Sequence, residues 1–155
     1  IVEARLVSSK DQCALNTYTV LELNGDTVDN PIRLKEISDG IKSALKLNVS
    51  SNDLINQKAS RRIECFARPT EITFVDDLEK RQTTLQIVTT DRAGLLSKIA
   101  YTLRAQGVKV NNAKITTLGA QIDDVFIIRD SLTGSCISDT TKDAIENQLT
   151  ELLDF

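Results

Sequence analysis

The 155-residue chain contains no histidine, methionine or tryptophan, and aromatic residues make up only 4% of it. Without an imidazole, Ser-His-Asp and Cys-His nucleophiles, histidine general bases and metal sites that need histidine ligands are all excluded. With so few rings, the core has to be assembled from Leu, Ile, Val and Ala. Apolar runs are also short. Residues 125–128 are typical and reach strand length only, far below the ~20 residues that span a bilayer, so no membrane segment is expected. The three cysteines, Cys13, Cys65 and Cys136, are odd in number and lack a C-x-x-C pair. That spacing excludes a zinc site and argues against a disulfide framework, so reduced thiols and a cytoplasmic location are expected. The formal net charge of −3 gives no attractive general field for nucleic acid or an anionic membrane. With no Met in the sequence, Ile1 is expected to stand inside a longer chain.

What is present begins with a repeat. Ala4-Arg5-Leu6 matches Ala113-Lys114-Ile115 at an offset of 109. After one residue is lost in the next turn, Asn16, Tyr18 and Val20 match Asp124, Phe126 and Ile128 at an offset of 108. The register continues through Ile37 with Ile145, Ile41 with Leu149, and Leu45 with Leu153. In the first copy, alternation at Val2, Ala4 and Leu6, and again from Leu15 to Leu21, predicts two strands with a turn near Lys10-Asp11. Asn24-Gly25 ends the second strand. Leu34, Ile37, Ile41, Ala44 and Leu45 form the apolar stripe of a helix. In the second copy, residues 113–116 and 124–129 are the strands, and Ile145, Leu149, Leu152 and Leu153 are the stripe. Ser138 or Asp139 is its N-cap candidate.

The second copy has further elements in front of it. Residues 84–89 alternate as a strand, and Asp91-Arg92-Ala93-Gly94 turns. Leu95, Leu96, Ile99, Ala100 and Leu103 form a helical stripe that ends at Gly107, a candidate left-handed C′ residue. Residues 84–153 therefore read β-α-β-β-α, the ferredoxin-like order without its last strand. Residues 70–75, upstream, alternate as a strand and can supply it by a hairpin, as an edge strand antiparallel to 84–89. The expected class is α+β, built from tandem ferredoxin-like units with antiparallel sheets and helices on one face, the first unit truncated. The units are 1–47 and 62–155, with 48–61 as a polar linker.

The strand-to-helix junction carries the sharpest chemical signal. Backbone N–H groups at a helix start lack intrahelical partners and attract a carboxylate or phosphate. Gly94 leaves room for a ligand to approach the backbone, and Asp91 can pair with an ammonium. One turn thus offers both signs that an α-amino acid needs. Asn111 joins this set because Val110 and Ala113 fall out of alternating phase, which implies a bulge between them. The acidic pairs Asp76-Asp77 and Asp123-Asp124 are expected in a turn and at a strand start, not at a metal.

Residues 91–96, then Gly107-Val108-Lys109-Val110-Asn111 and the strands up to Arg129, resemble an ACT domain, a regulatory fold that binds amino acids. More specifically, Asn112-Ala113-Lys114-Ile115-Thr116-Thr117-Leu118-Gly119 and residues 123–128 resemble the last ACT repeat of the bifunctional uridylyltransferase/uridylyl-removing enzyme family. Residues 11–22 resemble its penultimate repeat, and residues 70–74 its inter-repeat strand. The resemblance implies L-glutamine as effector, with Asp91, Arg92, Ala93, Gly94, Leu95, Asn111 and Asn112 as the candidate effector-binding residues. It implies a parent enzyme that attaches UMP to the nitrogen-regulatory protein PII and removes it, with Mg as the parent's cofactor. No catalytic residue and no cofactor are expected in this chain itself. A homodimer through ACT sheets is a further implied partner. The ACT region of another amino-acid-responsive enzyme and a purely structural dimerisation module are the competing readings. RNA binding is disfavoured because the third strand offers Phe126 alone and the first offers Leu85, Ile87 and Val88, where an RNA-recognition sheet stacks bases on several aromatic rings.

Overall fold

The computed structural model describes residues 1–8, 13–22, 24–47, 69–92 and 94–153. The expected turn at Lys10-Asp11, the linker 48–61, Cys65 and Ala93 lie outside the described residues. In chain order the elements are β1 (Glu3–Ser8), β2 (Ala14–Thr19), α1 (Pro31–Leu47), β3 (Glu71–Asp77), β4 (Gln82–Thr90), α2 (Leu95–Ala105), β5 (Val108–Leu118), β6 (Gln121–Asp130) and α3 (Asp139–Leu153).

The six strands form one sheet in the order β2-β1-β5-β6-β4-β3, antiparallel throughout. The sequence reading expects separate sheets. Instead β1 pairs along β5, from Glu3 with Thr116 to Val7 with Asn112, and the two sets of strands become continuous. The edge strand expected at 70–75 is present: β3 pairs antiparallel with β4, Glu71 opposite Val88 and Val75 opposite Thr84. Asp76 and Asp77, expected in a turn, are the last two residues of β3.

Alternation sorts each central strand onto two faces. Leu85 and Ile87 of β4, Ala113 and Ile115 of β5, Ile122, Phe126 and Ile128 of β6, and Ala4 of β1 all point into one core. Leu95, Ile99 and Leu103 of α2 meet Ile145, Leu149 and Leu153 of α3 on that face. Burying each large aliphatic chain contributes about 1.5–3 kcal/mol. Phe126 is spent in this core, so it presents no exposed ring to a base. Helix α1 contributes no residue to the cluster, and its stripe residues Leu34, Ile41 and Leu45 are exposed.

The helix ends follow the local chemistry. Ser138 caps α3, its Oγ accepting from the Thr141 N–H at 3.2 Å. Gly107, at φ +67°, ends α2 as expected, its N–H bonded to the Arg104 carbonyl. The start of α3 is tied to the β3 edge by Lys142, whose Nζ donates to Asp76 Oδ2 at 2.7 Å and to Asp139 Oδ1 at 2.9 Å. Thr83 Oγ1 also donates to Asp76 Oδ1, at 2.7 Å. The bond from Lys142, then that from Thr83, holds the Asp76 carboxyl below the ordinary carboxylate range.

Candidate functional site

The turn between β4 and α2 sits at one end of the sheet. Thr90, the last residue of β4, pairs with Gln121, which also pairs with Leu118 of β5. The next residue, Asp91, donates its N–H to the Ala120 carbonyl at 2.8 Å, which fixes the loop to the β5–β6 turn. Gly94 adopts φ +79°, in the left-handed region that favours glycine, and no Cβ-sized space around it is filled. Helix α2 starts there, and Gly94 at its N-cap position has no side chain with which to bond the first turn. Asp91, Arg92 and Gly94 are partly exposed, and Leu95 turns into the core. A cavity of about 300 Å³, lined by Glu71, Val88, Thr90, Leu118 and Gln121 among others, opens at this same end of the sheet.

The asparagines do not join this loop. The bulge expected beside Asn111 is present, as a register shift between Val110 and Asn112 against β6. The bulge, however, lies toward the opposite end of the sheet, with Val110 opposite Ile128 and Asn112 opposite Ile127. Seven residues of β5 separate Asn111 from Leu118, roughly 20 Å of strand. A single small amino acid at the Asp91 loop cannot also touch Asn111 or Asn112 of the same chain. The reason lies in the topology. α2 crosses the length of the sheet before β5 begins, so residues just after the helix return at the far end. Asn111 Oδ1 is buried and has no hydrogen-bond partner among the described residues.

The sequence reading places Asp124 at a strand start and gives it no role. It is 1% exposed, on the core face of β6, opposite Ile87 of β4. Its Oδ1 accepts from the Thr116 N–H at 3.2 Å. Burial pushes the carboxyl up to about 6 against the lowering effect of that hydrogen bond, and the charges of Asp123 and Asp91 push it further. Alternation held the signal, since Ile122, Asp124, Phe126 and Ile128 share one parity and the other three are core residues. Asp123, on the other face, accepts from Gln86 Nε2 at 2.8 Å. Among the described residues, no three His, Cys, Asp or Glu side chains are grouped to hold a metal ion. No helix among them is long and apolar enough to cross a membrane.

These features define an α+β protein whose candidate site is a strand-to-helix turn of mixed charge on an antiparallel sheet. Its relatives are specific: the chain is homologous to a segment of bifunctional uridylyltransferase/uridylyl-removing enzymes. It is 35% identical over 130 residues to the enzyme of that name from Methylococcus capsulatus, and 36% identical over 132 residues to those from Pseudomonas entomophila and Stutzerimonas stutzeri. Each match covers 84% of this chain and 15% of the relative, so the chain spans about one-seventh of the length of these enzymes. No protein-family model and no solved structure matches the chain.

Proposed function

We propose that this chain is a regulatory, ACT-type region that senses L-glutamine and controls the uridylylation and deuridylylation of the PII protein by an enzyme of which it is a part. The observation that carries the reading is the start of α2. Its N-cap position is Gly94 at φ +79°, which brings no side chain to the first turn, and Asp91 stands just before it. The Leu95 N–H is taken by the Arg92 carbonyl at 3.1 Å, so the N–H groups that suit an α-carboxylate are the next ones of the first turn, those of Leu96 and Ser97. The negative charge of Asp91 suits the α-ammonium. Homology to a segment of the uridylyltransferase/uridylyl-removing enzymes supplies the enzyme to be regulated. In this reading the transfer and hydrolysis steps, and any Mg they use, belong to other parts of that enzyme, and this chain binds effector without catalysing either step.

Asn111 and Asn112 enter the same reading only across chains or repeats, because one chain holds them far from Asp91. Titration calorimetry of the 155-residue chain with L-glutamine, using L-glutamate as control, tests the proposal. Saturable binding of glutamine, weakened by Asp91→Ala, is the expected result. Equal responses to glutamine and glutamate, or heat unchanged by Asp91→Ala, would remove the assignment of this loop.

A further inference from the structure

The Thr116 N–H points toward β6, because its neighbour Thr117 turns the other way and bonds to the Val2 carbonyl at 3.0 Å. In an unbroken antiparallel ladder such a group serves a carbonyl of the facing strand. Here the Asp124 carboxylate takes it. The regular pairing of β5 with β6 runs to Lys114 opposite Val125 and resumes only at Thr117 opposite Ile122. The gap, across which the register is unchanged, thus coincides with the bond from Thr116 to the buried Asp124 carboxylate.

We infer that Asp124 is a proton-operated latch on the β5–β6 ladder, closed when the carboxyl is neutral and loosened when it is ionised. A buried carboxylate gains by opening to water, whereas a buried neutral acid does not. The charges around it reinforce the effect. Asp123 on its own strand and Asp91 in the β4–α2 loop both oppose ionisation. The core-facing neighbours Leu85, Ile87, Ala113, Ile115 and Ala4 on β4, β5 and β1 are apolar, and the buried Thr89 of β4 shares its hydroxyl hydrogen bond with Thr70 at 2.9 Å. Arg5 and Lys114 are exposed on the other face. On α2, Lys98 donates its ammonium to the Leu152 carbonyl at 3.3 Å, and Arg92 belongs to the loop before the helix. The raised carboxyl pKa, about 6, sets the range in which the latch works. The loosened segment adjoins Ala120, whose carbonyl anchors Asp91, so the latch bears on how firmly the α2 loop is held. This inference stands apart from glutamine binding and needs no ligand.

The test is amide hydrogen exchange of the whole chain at pH 5 and pH 7.5, corrected for intrinsic exchange, read at Thr116, Thr117 and Ile122. If the opened segment has an ordinary carboxyl, proton linkage makes opening about tenfold more frequent at pH 7.5. Asp124→Asn, of equal size and still able to accept from Thr116, is expected to abolish that difference. Asp91→Asn is expected to move the midpoint to lower pH. NMR titration of the Asp124 carboxyl carbon in the unmodified chain is a second reading that requires no variant to fold. A midpoint near 6 is expected. A midpoint near 4, equal opening at both pH values, or a pH dependence that survives Asp124→Asn would overturn the latch.

Discussion

Arg5 and Lys114 face each other directly across the β1–β5 ladder. They are also the same position in the two sequence copies, since 114 is 5 plus the offset of 109. On either side Ala4 meets Ile115 and Leu6 meets Ala113, so each position meets the equivalent of the other's neighbour. The two copies therefore pair about a local twofold axis through the Arg5–Lys114 pair. A residue on such an axis faces its own counterpart, and here that brings two exposed cations together.

Like charges directly opposite one another weaken a strand pair, and opposite charges contribute roughly 0.2–1 kcal/mol. Arg5→Glu is accordingly expected to strengthen the attachment of β1 to β5. Exchange protection of the β1 amides should rise at low ionic strength, and the gain should shrink in about 1 M salt, where screening acts within ~3 Å.

The matched helices are expected to respond very differently to truncation. Ile41 and Leu149 hold the same repeat position, yet Ile41 is 53% exposed and Leu149 is 0% exposed. Leu149→Ala should cost about 2–5 kcal/mol in urea unfolding, because it leaves a cavity between α3 and the sheet. Ile41→Ala should stay within about 0.5 kcal/mol, as for an ordinary surface change.

The Asp76–Lys142 bond gives a pH-dependent contribution whose sign differs from that of Asp124. The Asp76 carboxyl is held below its ordinary value of 3.8, mainly by Lys142 and then by Thr83. Its contribution is present above pH 4 and is lost as pH falls through the lowered value. Lys142 is raised above 10.5, by Asp76 first and Asp139 second, so its share is complete below that pH and is lost on further alkalinisation. Lys142→Ala should lower stability by about 0.2–1 kcal/mol between these limits. A difference between the two proteins that is as large at pH 2 as at pH 7 would contradict this account.

For the proposed effector loop, stability and binding should separate. Because the Asp91 charge opposes ionisation of the buried Asp124, Asp91→Ala is expected not to lower the melting temperature at pH 7. The loss of a charge-assisted bond to the ligand ammonium should weaken glutamine about tenfold or more. A folded variant with the glutamine midpoint of the unmodified chain would show that Asp91 does not contact the effector.

The local grammar of this protein was legible in its residues. Alternation at Leu85-Ile87 and Ile122-Phe126-Ile128, the stripe Ile145-Leu149-Leu153, and turns at Gly94 and Gly107 depend on neighbours within a few positions. Even the bulge beside Asn111 showed as a break in parity. These features follow from backbone geometry with periods of 2.0 and 3.6 residues, which act within a single element. Which edges join is a different kind of question. Nothing within residues 3–8 says that β1 will pair with β5 rather than close a separate sheet, because strand edges offer the same N–H and C=O groups everywhere. Only three-dimensional packing decides among them. The same holds for the site. Asp91 and Asn111 are twenty residues apart in sequence, but the passage of α2 along the sheet puts them at opposite ends. Asp124 looks like half of an ordinary acidic pair until the sheet and the helices close over it. Its burial, and with it the raised pKa and the interrupted ladder, exists only in the folded molecule, because desolvation is a property of everything packed around a charge and not of its neighbours in the chain.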